Sequence, residues 1–320
     1  MRIVFLGTPE FAVSCLDALN KSKHEVIGVI CQPDKPTERG NKIQFCCVKK
    51  YAIENNLKLF QFAKISRDGV EELKALDPDL MVTAAYGQIL SQEVLNIPKY
   101  GVINVHASLL PKYRGASPIQ SAIIHGDTET GVTIMKTEIG LDTGDIIDSV
   151  KTPIFENETY GELSIRLSEI GANLLLSVID RIEKGTVTYI KQEHFNATIT
   201  NKISKTDATI NWNKSSKEIK CLVLGTNPNP IARTLLNGEM VKIYKAKIAD
   251  IVLTDEDKVL EPGTVLPESS SKNGLFVRTF DGAVELIDIQ FPGGRELPAK
   301  QILNGRKIKP LDKFVYDINV

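Results

Sequence analysis

Four short apolar runs, at residues 2–6, 26–31, 80–84 and 102–106, are separated by stretches of helical periodicity. In the first such stretch Phe11, Ala12, Cys15, Leu16 and Leu19 fall at helix spacing and form one stripe. Further helix-like stretches lie around 45–55, 67–76 and 91–95. Strands alternating with helices predict a parallel sheet covered by helices, an α/β layer fold. No apolar run approaches the roughly 18 residues needed to span a bilayer. The first one, from Met1 to Gly7, lacks a signal-peptide cleavage pattern and reads as a buried strand.

Gly7-Thr8-Pro9 closes that strand and opens the first helix, with Pro9 suited to the first helical turn. It is not GxGxxG, so the dinucleotide fingerprint is absent and a nicotinamide dehydrogenase is disfavoured. Residues 160–183 predict one long amphipathic helix, with Leu163, Leu167, Ile170, Leu174, Val178 and Ile182 on one face. From 186 to 206 the chain is polar and extended, with Thr198, Thr200, Asn201 and Ser204, and reads as a linker. Beyond 207 come short strands at Val241–Ala246, Gly263–Leu266, Leu275–Thr279 and Val284–Gln290, predicting a small β-barrel or sandwich. The expected domains are therefore 1–185 and 207–320, joined by 186–206. A length of 320 residues accommodates both.

Charge and cysteine content narrow the function. The chain has 39 basic and 40 acidic residues, so it is not a uniformly basic nucleic-acid coat, and any basic patch must be local. Its cysteines, at 15, 31, 46, 47 and 221, are odd in number and contain no CxxC pair. That disfavours a structural zinc site and a secreted disulfide framework, and points to reduced thiols in a cytosol.

The most informative stretch is Gly101–Pro111. If 102–106 is a strand, Asn104 and His106 share one face at its carboxyl end, where open α/β sheets bind ligands. Asn offers an amide that cannot ionise; His offers a donor, an acceptor or a proton shuttle. The plainer alternative is a satisfied polar pair at the end of a buried strand. Asp142, between Gly140 and Gly144, can face His106 and stabilise a charged imidazole. Asp145 competes for that role, and either acid can be a simple turn former. Ser108, Leu109, Leu110 and Pro111, with Tyr86, Gly87, Gln88, Ile89 and Leu90, can wall a flat, mostly apolar slot suited to a heteroaromatic ring.

Gly101–Pro111, Tyr113–Gln120, Thr130–Met135 and Gly140–Asp145 together resemble the 10-formyltetrahydrofolate-dependent formyltransferases. Gly7–Ala12 and Gln32–Pro36 are similar to the branch that acts on methionyl-tRNA. The resemblance covers essentially the whole chain. It implies a Rossmann-like, mostly parallel formyltransferase domain followed by a smaller OB-like C-terminal β-barrel that binds tRNA. It further implies catalysis by Asn104, His106 and Asp142, a folate-binding motif at Ser108–Pro111, 10-formyltetrahydrofolate as co-substrate, and no metal. The implied reaction is formylation of the α-amino group of methionyl initiator tRNA for translation initiation. The expected setting is cytoplasmic, with no membrane partner and a monomeric enzyme.

Residues 34–50 carry five basic residues against two acidic ones. A solvated charged loop is the ordinary reading; the resemblance instead implies a loop that enters the tRNA acceptor stem, contacted through Arg39 and Lys42. Lys191, Lys202 and Lys205, and the tail with Lys300, Arg306, Lys307, Lys309 and Lys313, are also locally basic. The sequence departs from the family pattern at Asn41, Cys46-Cys47 and Asn229, where a basic residue, a proline-containing stretch and an aromatic are frequent. Other readings are a formyltransferase for a small amine, a folate-dependent hydrolase releasing formate, and an RNA-binding module with an inert site.

Overall fold

The computed structural model describes residues 1–36 and 43–317. The chain forms two compact units. The first comprises Met1–Pro118, Thr130–Pro153 and Ser164–Thr200; the second comprises Ile119–Glu129, Ile154–Leu163 and Asn201–Val320.

The first unit is built on a seven-stranded sheet. Its strands are β1 (Arg2–Gly7), β2 (Glu25–Cys31), β3 (Leu59–Gln61), β4 (Leu80–Ala84), β5 (Val102–His106), β6 (Glu129–Lys136) and β7 (Ile146–Pro153). Their order is β7-β6-β5-β4-β1-β2-β3. The ladders from β3 through β5 are parallel, and β6 runs antiparallel to β5. The sheet is thus mostly parallel and Rossmann-like. The apolar runs form strands because Ile3, Val4, Phe5, Leu6, Val29, Ile30, Leu80 and Met81 are all fully buried. Each such side chain stabilises the fold by roughly 1.5–3 kcal/mol.

Helix α1 (Glu10–Asn20) buries the five apolar residues that its spacing singles out. Pro9 is its N-cap, so the helix begins one residue later than the sequence suggests. Gly7 is required where β1 meets α1, because a Cβ there would lie 2.6 Å from that of Ala12. Helix α2 (Cys47–Glu54) opens on Cys46, whose sulfur accepts the Lys49 N–H at 3.4 Å. The long helix α3 (Tyr160–Glu183) has the predicted bounds, with Leu167, Leu174, Val178 and Ile182 buried and Ile170 half-buried. Ser168 on α3 bonds Ser14 on α1 at 2.8 Å. Among the described residues, no helix is long and apolar enough to cross a membrane.

The second unit contains an antiparallel sheet of β8 (Ala232–Leu236), β9 (Glu239–Ile248), β10 (Leu275–Arg278), β11 (Ala283–Gln290) and β12 (Phe314–Val315). The order is β10-β11-β9-β8-β12. The expected strand at Gly263–Leu266 forms only single bridges, Val265 to Val277 and Thr264 to Lys313. Pro262 precedes it and Thr264 N–H turns back to the Glu261 carbonyl, so no longer ladder forms. Those bridges still link the segment to both edges of the sheet, giving an OB-like half-barrel. Helix α4 (Ser216–Gly225) covers it, started by a capping box of Ser215 and Glu218. Trp212 stacks on Phe314 in the core and donates its indole N–H to Thr234 at 2.9 Å.

Candidate active site

The carboxyl ends of β1, β4 and β5 lie side by side, since Gly7 pairs with Ala84 and Thr83 with Asn104. Asn104 and His106 are two positions apart on β5, opposite Met135 and Thr133 of β6. Thr83 is the one hydroxyl in the apolar run of β4, and its Oγ1 donates to Asn104 Oδ1 at 2.9 Å. Two amide hydrogens of Asn104 are therefore left without a partner among the described residues. They are available to an acceptor on a ligand.

His106 is 5% exposed. Its Nε2 lies 2.9 Å from the carbonyl oxygen of Tyr113, which can only accept, so Nε2 carries a proton. Its Nδ1 lies 3.6 Å from Asp142 Oδ2, an ion-pair distance beyond hydrogen-bond reach. Nδ1 is thus the nitrogen left to engage a reactant. Asp142 sits in the turn between β6 and β7, and its Oδ2 accepts the Gly115 N–H at 2.8 Å. Tyr113 at φ 58° and Asp142 at φ 51° both occupy the left-handed region. Such backbone persists only where the surroundings impose it. At Gly144 a Cβ would fall 1.8 Å from the Lys136 carbonyl, so this turn tolerates no side chain there. The main-chain carbonyl of Asp145, the competing acid, accepts the Lys136 N–H at 2.9 Å.

The expected slot residues fall into two groups. Ser108 is buried, donates to the Lys112 carbonyl at 2.6 Å, and its own carbonyl accepts from Thr133 Oγ1 at 2.7 Å. Thr133 Oγ1 also accepts the Leu110 N–H at 3.2 Å, so one hydroxyl fixes the bend. Leu110 is buried, while Leu109 and Pro111 are half-buried. In the second group, Tyr86 and Leu90 belong to the core cluster with Leu6, Ile30 and Met81. Burial pushes the Tyr86 phenol up, and its OH has no hydrogen-bond partner among the described residues. Gln88 spends its amide on the Ile65 N–H and the Phe62 carbonyl. Gly87, at φ 83°, and the 90% exposed Ile89 leave backbone and an apolar side chain facing outward.

Arg39 and Lys42, with Asn41, lie outside the described residues. Among the described residues that flank them in sequence, Lys49 bonds Gln61 at 3.0 Å and pairs with Asp34, which lowers the Asp34 carboxyl below its usual range. Burial pushes the Cys31 thiol up to about 12.

Sequence reasoning missed Thr83, the Tyr113 carbonyl, Gly115, Arg114 and Gln192. Thr83 had a legible signal as a lone polar residue inside a buried run. Gln192 had none, since its partners are distant in sequence. Its Nε2 donates to the carbonyls of Asp142 and Gly144, and its Oε1 accepts from Arg114.

Residues 1–179 match the family described as formyl transferase, and residues 202–307 match its C-terminal domain. The methionyl-tRNA formyltransferase of Acetivibrio thermocellus is 43% identical over 309 residues, covering 96% of this chain and 97% of its own. Among solved structures, the sugar 3N-formyl transferase WlaRD, crystallised with dTDP and 5-N-formyl-THF, superposes with a TM-score of 0.66. It is 23% identical, covering 92% of this chain and 99% of its own. HypX from Aquifex aeolicus in complex with tetrahydrofolic acid also gives a TM-score of 0.66, at 18% identity, over 99% of this chain and 51% of its own. These two structures speak for the fold.

Proposed function

The chain belongs to the formyl transferase family, and from that premise we propose that it transfers the formyl group of 10-formyltetrahydrofolate to the α-amino group of methionyl initiator tRNA. The product is N-formylmethionyl-tRNA for translation initiation. The observation that carries the chemistry is the meeting of a free Asn104 amide, the Nδ1 edge of His106 and the Asp142 carboxylate at one strand end. The near full-length identity to a methionyl-tRNA formyltransferase supports the acceptor.

In this reading the neutral amine attacks the formyl carbon, and the carbonyl electron pair moves to oxygen. Asn104 Nδ2 and a protonated His106 Nδ1 donate hydrogen bonds to that oxygen. One such preorganised donor is worth roughly 10²–10³ in rate. The Asp142 carboxylate lies 3.6 Å from His106 Nδ1. Collapse of the tetrahedral species breaks the bond to N10, which takes the electron pair. One proton passes from the attacking nitrogen to N10, so charge and atoms balance. Ser108–Pro111 and the edge of Tyr86–Leu90 hold the folate, with Tyr86, Gln88 and Leu90 bracing that edge from behind.

Residues 1–185 carry the transfer and 207–320 bind tRNA, with Arg39 and Lys42 on the acceptor stem. Those contacts weaken with salt. The enzyme works as a monomer in the cytoplasm, in keeping with five free cysteines.

The test is transfer of labelled formyl from 10-formyltetrahydrofolate to charged initiator and elongator Met-tRNA, with a small amine as control. Formylation of the initiator alone supports the reading. Transfer only to the small amine removes the tRNA from it, and folate binding without transfer to any acceptor removes the transferase activity.

A further inference from the structure

We infer that Gln192, acting with Arg114, is a positioning residue for formyl transfer: it fixes the backbone that carries Asp142, and through it the approach of Asp142 to His106. The kinetic part of this inference rests on the proposed function. Asp142 holds a left-handed backbone at φ 51° without being glycine, so something must impose it. Gln192 supplies two bonds across that turn. Its Nε2 donates to the Asp142 carbonyl at 2.9 Å and to the Gly144 carbonyl at 2.7 Å. Its Oε1 accepts from Arg114 Nε at 3.0 Å and from a terminal nitrogen of Arg114 at 2.6 Å. The amide therefore has one orientation only. Nitrogen faces acceptors and oxygen faces donors, and a flipped amide would lose all four bonds.

Gln192 and Arg114 are each 6% exposed, so water does not replace these bonds without cost. Arg114 lies between Tyr113, whose carbonyl anchors His106 Nε2, and Gly115, whose N–H binds Asp142 Oδ2. One guanidinium–amide pair thus couples the two loops that meet at His106. The same chain segment holds both loops by backbone as well. Ile190 exchanges two bonds of 2.8 Å with Ile146, and the Thr198 carbonyl accepts the Arg114 N–H at 2.8 Å. Gln192 touches no reacting atom.

The experiment uses the full chain with Gln192→Ala, Gln192→Glu and Asp142→Asn, singly and combined. Gln192→Ala is expected to lower kcat about 10- to 100-fold, the scale of a displacement of order 1 Å at a reacting group. KM for 10-formyltetrahydrofolate and for initiator tRNA should stay within about twofold. Gln192→Glu keeps a partner for Arg114, and so keeps the fold stable, but it points an oxygen at the carbonyls of Asp142 and Gly144. Its kcat should fall at least as far as that of Gln192→Ala. A role in stability alone predicts the reverse, with Gln192→Glu near wild type. In the Asp142→Asn background, Gln192→Ala should cost less than about threefold, because both changes act on one interaction. Hydrogen exchange reads the brace without any reaction: the Gly115 amide should exchange faster in Gln192→Ala. Unchanged Gly115 exchange, active Gln192→Glu, or fully multiplicative losses would each overturn the inference. If the wild-type protein formylates nothing, the proposed function falls and Gly115 exchange alone still decides the brace.

Discussion

Two buried histidines stand at opposite ends of the same sheet, each within ion-pair distance of an aspartate. His24 precedes β2 and lies 3.8 Å from Asp180; His106 ends β5 and lies 3.6 Å from Asp142. Their neighbours differ. Asp180 is held by Lys23 at 2.8 Å, and His24 Nδ1 is 3.3 Å from the Met1 amine. Burial first, and those cations after it, lower the His24 imidazole below its ordinary value. The Asp142 carboxylate, by contrast, meets only a backbone N–H and His106 among the described residues, with no lysine or arginine paired to it there. A histidine and an aspartate at similar separation thus make a structural knot where a lysine neutralises the acid. Where none does, as at the proposed site, the acid faces the imidazole without a competing cation.

The largest expected effect separates the two ends by activity. His106→Ala should lower kcat about 10²- to 10⁴-fold and Asn104→Ala about 10²- to 10³-fold in a formyl-transfer assay. His24→Ala should leave kcat within about twofold and cost about 1–3 kcal/mol in denaturant unfolding, as a buried polar group loses its place. Equal activity losses at His24 and His106 would erase the distinction.

Next comes Thr83. Thr83→Val removes the donor that orients the Asn104 amide and should reduce kcat about 10-fold, while Thr83→Ser should retain most of it. A smaller effect concerns pH. Because the folded protein holds His24 below its ordinary value of 6.5, the unfolded chain binds that proton more readily. His24 therefore costs no stability above about pH 6.5. Its penalty grows as pH falls below that value and levels off below the folded pKa. Melting curves of His24→Gln should show a shallower loss of Tm between about pH 7 and pH 5 than wild type. The smallest effect is expected from Lys23→Ala, which removes a cation beside His24 and frees Asp180; the His24 ring titration, followed by NMR, should move upward.

Much of this contrast was legible in the sequence. The bounds of β4, β5 and α3 follow from apolar runs and periodicity, because β4 is buried throughout, β5 at all but Asn104, and α3 along one face. Strand alternation made Asn104 and His106 candidates and flanking glycines did so for Asp142, with Asp145 competing; the family resemblance singled out the three. What stayed hidden was whatever depends on pairing between distant segments. The direction of β6, the bridging of Gly263–Leu266 and the bonds of Gln192 are set by neighbours the local pattern cannot name. A polar, extended stretch such as 186–206 reads the same whether it runs free or bonds the loops it passes. His106 already stood apart as a histidine at a strand end among polar groups, whereas the pairing of Lys23 with Asp180 beside His24 shows only in the fold.

The most direct test of this contrast is a single-turnover measurement of formyl transfer to methionyl initiator tRNA by wild type, His106→Ala and His24→Ala, with folate binding measured in parallel. The account predicts transfer by wild type and His24→Ala at similar rates, and a loss of at least about 100-fold in His106→Ala with folate still bound. Transfer by His106→Ala at the wild-type rate would contradict it.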